Sequence, residues 1–521
     1  MCSPFEMHPC LNVDEILRLV AYELIASELK ATAVSLACCC RSIQDPVLDT
    51  LWETQDRLVT LLKCLPQEVW KEENGTFCFQ RIPTKLEWTN FQEYTRRMRI
   101  LQLDASKDYI DSEAILVLQL RTANEPFLPR LEDFECRSTT DAFIPLIPLF
   151  LSPRTANITI TFTEYPSIVA VAAIISRFST LCPDLKSVTL NGLPQNPVAI
   201  GAVSEMLLSC NRDSLGAFCV ESPLTEEARE FLYRLPNLSI LWATIRGRTV
   251  LPQVALPNLV SIDIDFENNL DWLQGFRGTT LDKLEEVSFR SKSERIGDFL
   301  GAFASVALTT SAQNSLFAFR FHTSSSWNPT YNALLPFEQL SELEIEFSCD
   351  NGCSSRVDDD VIALLARAMP KLETLRLGGE PCRTPTGATV KGLVALASRC
   401  PHLYDLRIHF QAASLAEAAV SAMTTPRDDN ELVDRWDDCM LADLDVGRIP
   451  VPAQSAQSVA LTLLNIFPRL IDVKYTNQEW KPVADTIKSF GRIGAFVRHI
   501  GKAHRHVQLA SEPDDTLPGC S

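Results

Sequence analysis

Histidine is scarce in this chain, seven residues in 521, and long hydrophobic runs are missing. The longest, at 144–151 and 168–175, are short, and Pro145 and Pro148 interrupt the first. A membrane-spanning helix needs about 18 apolar residues, so none is expected. The opening stretch, MCSPFEMHPC, has neither a basic n-region nor an apolar h-region. The expected location is therefore cytoplasmic and/or nuclear. In that reducing setting the 17 cysteines are expected as small buried hydrophobes, with no disulfide framework. Basic charge is also in deficit. Lys and Arg total 48 against 66 Asp and Glu, a net charge of −18. That excludes a general nucleic-acid surface, which needs cations to neutralise phosphates. It also argues against docking to an anionic membrane.

Catalytic phrases are missing too. There is no Walker A loop, Gly-x-Ser-x-Gly elbow, His-Glu-x-x-His or dinucleotide glycine fingerprint. Cysteine–histidine chemistry needs a nearby base, and His8 is the only histidine before residue 300. His499, His504 and His506 read as a basic helix end. Cys349, Cys353 and Cys382 lack a second clean pair for zinc. Cys38-Cys39-Cys40 reads as helix packing, and Asp358–Asp360 as a helix N-terminus. No enzyme activity, cofactor or metal is expected; a hydrolase hidden in an α/β scaffold fits worst.

What is present is a folded composition, 46% hydrophobic and 22% charged. At roughly 150 residues per domain the length suggests three or four domains, unless a repeat organises it. Residues 9–64 carry a helical pattern of their own. Ile16, Leu17, Val20 and Leu24 fall on one helix face, with Asp14 and Glu15 in the first turn. A second apolar run covers 31–40. Asp45 then suits a cap and Pro46 a first helical position, followed by Val47, Leu48, Leu51 and Trp52. Three helices in so short a segment bury little surface and need support from a partner or the rest of the chain.

These residues carry a resemblance. Glu15-Ile16-Leu17, Cys40-Arg41 and Leu51-Trp52 resemble the F-box, and the Pro46–Trp52 phrase is similar to the F-box proteins of mushroom-forming fungi. Asn12-Val13 stands where that family often has Leu-Pro, and Ile43 where it often has Trp. The resemblance implies docking to the Skp-type adaptor of a cullin ubiquitin ligase. By position it implies contacts from Val13, Ile16, Leu17, Leu36, Cys40 and Trp52.

Beyond this segment a phrase recurs: Pro-x-Leu-x-x-apolar-x-apolar. It stands at 128–136, 182–190, 235–243, 256–264, 369–377, 400–408 and 467–475. Looser copies stand at 281–289, 337–345, 315–321, 440–446 and 98–103. Each alternating apolar pair points to one side of a short strand, and the proline precedes the strand, where its missing N–H costs little. Helical stretches are expected at 166–178, 196–210, 224–234, 294–307, 358–369, 386–399 and 453–466. Strand and helix alternating at this spacing predict right-handed α/β units stacked on a parallel sheet. The pattern resembles the leucine-rich repeat family over about 98–476. The expected organisation is an F-box-like helical domain at 9–64, a linker or helical connection at 65–97, and a repeat solenoid at 98–476. An acidic loop at 424–438, a capping helix at 477–510 and a disordered tail at 511–521 complete it.

On such strands the residues between the apolar pair face the concave side. They are Asp133 and Glu135, Ser187 and Thr189, Ile240 and Trp242, Ser261 and Asp263, and Glu286 and Ser288. Glu342 and Glu344, Thr374 and Arg376, Asp405 and Arg407, and Asp472 and Lys474 continue the series. The expectation is a face acidic in its middle, with Trp242 as an exposed anchor and a basic peptide or loop as favoured partner. The leading expectation for function is a substrate receptor of a Skp–cullin–F-box ubiquitin ligase. The alternative is an acidic leucine-rich-repeat protein that sequesters a partner and meets no ligase.

Overall fold

Each copy of the recurring phrase builds one strand. In a computed structural model of the chain the described residues are 13–121, 126–163, 166–246, 253–267, 270–291, 298–323, 330–347, 357–378, 387–424, 439–451 and 454–490. They fall into two compact units, Met1–Ile245 with Val254–Leu259, and Arg246–Gln253 with Val260–Ser521. The architecture is α/β with parallel ladders of neighbouring strands in chain order.

The first unit opens with α1 (Asp14–Ala26), α2 (Lys30–Ala37) and α3 (Arg41–Glu53). Leu17, Ala21, Ala33, Ala37, Ile43 and Val47 form their small core, with Leu24, Ile25, Leu36, Leu48 and Leu51 packed against it. The start of α3 differs from expectation. Cys40 is its N-cap, and Pro46 lies inside the helix. Beginning at Arg41 lets both Ile43 and Val47 reach the core. Pro46 lies early enough that the helix gives up only one N–H bond, toward Ser42. Asp45 serves as an ion-pair partner of Arg97 instead of a cap.

The chain leaves α3 directly into β1 (Thr54–Gln55). Residues 65–97, expected as a connection, hold the antiparallel hairpin β2 (Trp70–Glu73) and β3 (Thr76–Phe79) and a helix, Lys85–Thr95. Asn74 and Gly75 both have positive φ, 52° and 81°. They form the two-residue hairpin turn that Asn-Gly favours. Thr84 and Glu87 cap the helix reciprocally. The parallel ladder runs from β1 to β4 (Ile100–Asp104), β5 (Asp133–Thr139), β6 (Asn157–Phe162), β7 (Ser187–Asn191), β8 (Ala217–Val220) and β9 (Ile240–Ile245).

The second unit continues the plan. Its strands are β10 (Ser261–Phe266), β11 (Glu286–Ser291), β12 (Ala318–Thr323), β13 (Glu342–Phe347), β14 (Thr374–Leu377), β15 (Asp405–Ile408), β16 (Asp443–Gly447) and β17 (Asp472–Tyr475). Successive strands pair in parallel. Connections between β10 and β13 use 3-10 turns at Asp271–Phe276, Ser311–Asn314 and Tyr331–Leu334 and one α-helix, Phe299–Ala307, within the stretch 294–307 expected to be helical, and aromatic rings pack beneath. Phe299 stacks on Phe321 at 4.7 Å and Phe289 meets Phe299 at 5.1 Å. Longer helices flank the later strands, at Asp359–Ala368, Val390–Arg399, Ala412–Thr424 and Ala456–Ile466. Three of these stand where the sequence places them.

One rule fixes the register of every repeat. A buried residue lies two positions before each strand from β4 on: Met98, Leu131, Leu185, Leu215, Leu238, Leu259, Leu284, Leu316, Leu340, Leu372, Leu403, Leu441 and Leu470. In β6 the position is Thr155, whose hydroxyl donates to the Leu131 carbonyl at 3.2 Å. Polar side chains just before the lead leucine stitch one turn to the last. Ser214 donates to the Leu185 carbonyl (2.9 Å), Asn258 to Pro236 (2.9 Å) and Ser315 to Leu284 (2.8 Å).

Residues 481–490 are helical, and the buried Trp480 before them donates from Nε1 to the Ile449 carbonyl at 2.7 Å. The remainder of the expected capping helix, the tail 511–521, and 425–438 of the acidic loop lie outside the described residues. No helix among the described residues is long and apolar enough to cross a membrane.

Candidate interaction surfaces

The first surface belongs to the N-terminal helices. Their core uses one side of α1, through Leu17, Ala21, Leu24 and Ile25. The adjoining flank leaves Val13, Ile16, Leu19 and Val20 exposed, with Tyr22, Leu29 and Val34 beyond. Leu19 is 64% and Tyr22 62% exposed. So many large apolar side chains exposed in so short a segment make it a candidate interaction surface. Of the residues implied as adaptor contacts, Val13, Ile16 and Cys40 are exposed. Leu17, 1% exposed, is a core residue and acts by holding α1 in place. Leu36 is half-buried against the same core. Trp52 is half-buried and packs on Tyr94, ring centroids 5.2 Å apart. Sequence reading passed over Leu19, Val20 as a surface residue, Tyr22, Leu29 and Val34. The signal was there: α1 has more apolar residues than one buried stripe can hold.

Several contacts tie this segment to the residues that lead into β4. Arg97 pairs with Asp45 at 2.7 Å and also with Asp49, while Arg18 reaches Asp49 at 2.6 Å. The Arg99 N–H donates to the Glu53 carbonyl at 3.0 Å. Just beyond, the buried Asp108 carboxylate accepts from the N–H groups of Leu58 (3.0 Å) and Val59 (3.4 Å). Burial pushes its pKa up, against those two donors.

The second surface is the polar face of the strands. In the first unit it is largely uncharged after β5. Asp133 accepts from Asn157, and Glu135 pairs with Arg137 at 2.5 Å. Trp242 is half-buried, where an exposed anchor was expected, and Ile240 beside it is exposed. Its in-register neighbour on β8 is Cys219.

In the second unit the face is an interlaced ion-pair array. Arg290 bridges Asp265 (2.6 Å) and Asp263 (3.2 Å). Arg320 holds Glu342 with two hydrogen bonds, 2.7 and 2.6 Å, and approaches Glu286 at 3.9 Å. Arg376 bridges Glu344 (3.3 Å) and Asp405 (2.8 Å). Arg407 bridges Glu346 (2.8 Å) and Asp445 (3.6 Å). His322 meets Glu346 at 3.1 Å. The expected open acidic middle is therefore corrected. Arginines on neighbouring strands neutralise it, and Glu344 is buried. Asp265, Arg290, Arg320, His322, Glu346, Asp443 and Asp445 were not anticipated. They occupy the third outward position of longer strands, or strands whose phrase was weak.

Burial pushes the Asp263 carboxyl up to about 6, with Asp265 adding repulsion and Arg290 opposing it. The Glu346 hydrogen bond raises the His322 pKa, and the same bond lowers that of Glu346. Asp358 caps its helix by accepting from the Val361 N–H (3.0 Å). Asp359 accepts from the Thr389 N–H and hydroxyl and the Gly392 N–H at 2.7, 2.6 and 2.9 Å. Among the described residues no three metal-ligating side chains converge; Cys349, Cys353 and Cys382, with His8, His499, His504 and His506, lie outside them. No family model and no curated protein matches the chain.

Proposed function

We propose that this chain is a substrate-recognition subunit of a Skp–cullin–F-box ubiquitin ligase, with leucine-rich repeats as its target-binding array. The N-terminal helices dock to the adaptor and the strand face holds a target protein. The chain itself then contributes proximity, a high effective concentration of target lysines near the ubiquitin-charged enzyme. The observation that carries this reading is the exposed apolar flank of α1, beside a core already complete without it. The F-box resemblance at Glu15-Ile16-Leu17 and Leu51-Trp52 supports the same reading. The test is co-purification of a tagged chain with a Skp-type adaptor and cullin. Ile16→Asp with Val20→Asp should abolish adaptor recovery while melting behaviour stays unchanged. Absence of adaptor from the unsubstituted chain would leave the sequestering reading in its place.

A further inference from the structure

We propose that a cavity walled by Trp88, Phe91 and Phe127, with Arg121 beside them, seats the C-terminal residue of a partner polypeptide. Its aromatic side chain lies among the rings and its free carboxylate meets Arg121. Other residues build the helix flank and the strand face, so the inference goes beyond the ligase reading and does not rest on it.

The helix Lys85–Thr95 carries Trp88, Phe91, Gln92 and Thr95 on one face, at spacings of three, four and seven residues. With Arg121 and Phe127 they line a cavity of about 300 Å³, counting its open mouth. Ligand cavities start at about that size, so it has room for one large side chain whose remaining chain leaves through the mouth. The walls support one another. Trp88 meets Phe91 edge-on with ring centroids 5.5 Å apart, and Phe91 meets Phe127 at 5.6 Å. Phe127 in turn packs on the buried Phe150 at 6.1 Å. A further ring gains the tilted contacts that aromatic pairs favour.

Two donors on these walls are unspent. Arg121 is half-buried in the last turn of the helix Ser112–Arg121 and makes no ion pair or hydrogen bond among the described residues. In the same unit Arg97, Arg99 and Arg137 each meet a carboxylate. Trp88 is only 5% exposed, yet its Nε1–H has no hydrogen-bond partner among the described residues. A buried indole N–H ordinarily has one, and leaving it unmade is costly. Thr95, by contrast, spends its hydroxyl on the Gln92 carbonyl at 3.2 Å. A carboxylate has acceptors for both free donors, and its planar shape matches the guanidinium fork. The net charge of −18 repels anions at long range. The ligand that fits is therefore an uncharged tail with one terminal carboxylate, held by local contacts.

The experiment is fluorescence anisotropy with the full chain and a Gly-Ser-Gly-Ser-Phe peptide labelled at its N-terminus. The free-acid peptide should bind at least roughly tenfold more tightly than its C-terminal amide, and than the same peptide ending in Ala. Arg121→Gln should bring acid and amide within about twofold of each other, and Arg121→Lys should keep part of the preference. Melting of both variants should stay within about 1 °C, since Arg121 has no partner to lose. Hydrocinnamate, which has the ring and the carboxylate without a chain, should compete roughly tenfold more weakly than the unlabelled peptide. No binding of the free-acid peptide, equal binding of acid and amide, or a preference that survives Arg121→Gln would overturn the proposal. So would hydrocinnamate competing as well as the peptide, which would make the ligand a free small acid. Adaptor capture is read separately, and its result bears on the ligase reading alone.

Discussion

Leu17 and Ile16 are adjacent in sequence and opposite in role. Leu17 fills the core of the three helices, and Ile16 faces out. Leu17→Ala should destabilise the segment by about 2–5 kcal/mol, read as faster hydrogen exchange across α1–α3. Ile16→Ala should change the same exchange by less than about 0.5 kcal/mol. Titration separates the array residues in the same way. The folded-state pKa of His322 is raised, so its contribution is complete below the unfolded value and fades as pH rises through the folded one. That of Glu346 is lowered, so its contribution holds above the unfolded value and fades as pH falls through the folded one. The pair is thus strongest in mildly acidic solution. His322→Gln should flatten the stability profile on the alkaline side of pH 6, measured by denaturant unfolding across pH. Asp263 has the opposite sign to an ordinary carboxylate. Its folded pKa of about 6 lies above the ordinary aspartate value of 3.8. Ionisation therefore costs stability as pH rises between those values, and Asp263→Asn should remove that cost.

At the scale of elements, polar links join one repeat to the next alongside apolar packing. Asp359 sits in the first turn of its own helix and accepts three bonds at the start of the following one, Val390–Arg399. Asp359→Ala should cost about 1–3 kcal/mol, because those donors lose a charged acceptor; the measurement is the denaturant midpoint. The same links explain what the sequence made legible. Strands with a lead leucine and alternating apolar pair, such as 369–377 and 400–408, were readable from the phrase alone. β6 was not, because Thr155 takes the leucine's place and satisfies the turn by hydrogen bonding to Leu131. β8 was missed because Leu215 is followed by Gly216 and has no proline before it. The start of α3 was misread because Pro46 imitates a first-turn proline. Charge on the strand face was legible residue by residue but not as pairs. Pairing depends on which strands are neighbours, and a repeat of uneven length hides that register.

At the scale of the whole molecule, the chain separates two kinds of surface. An apolar flank stands on α1–α2, and a charged, carboxylate-rich face stands on β10–β17. Each is built on elements whose cores are complete without a partner, so each is available for one. In the proposed reading the flank takes the adaptor and the strand face takes the target. Hydrogen–deuterium exchange of the full chain, with and without a purified Skp-type adaptor, tests this division most directly. The account predicts slowed exchange across 13–37 on adding adaptor, with β10–β17 unchanged. Unchanged exchange across 13–37, or protection confined to the strand face, would contradict it.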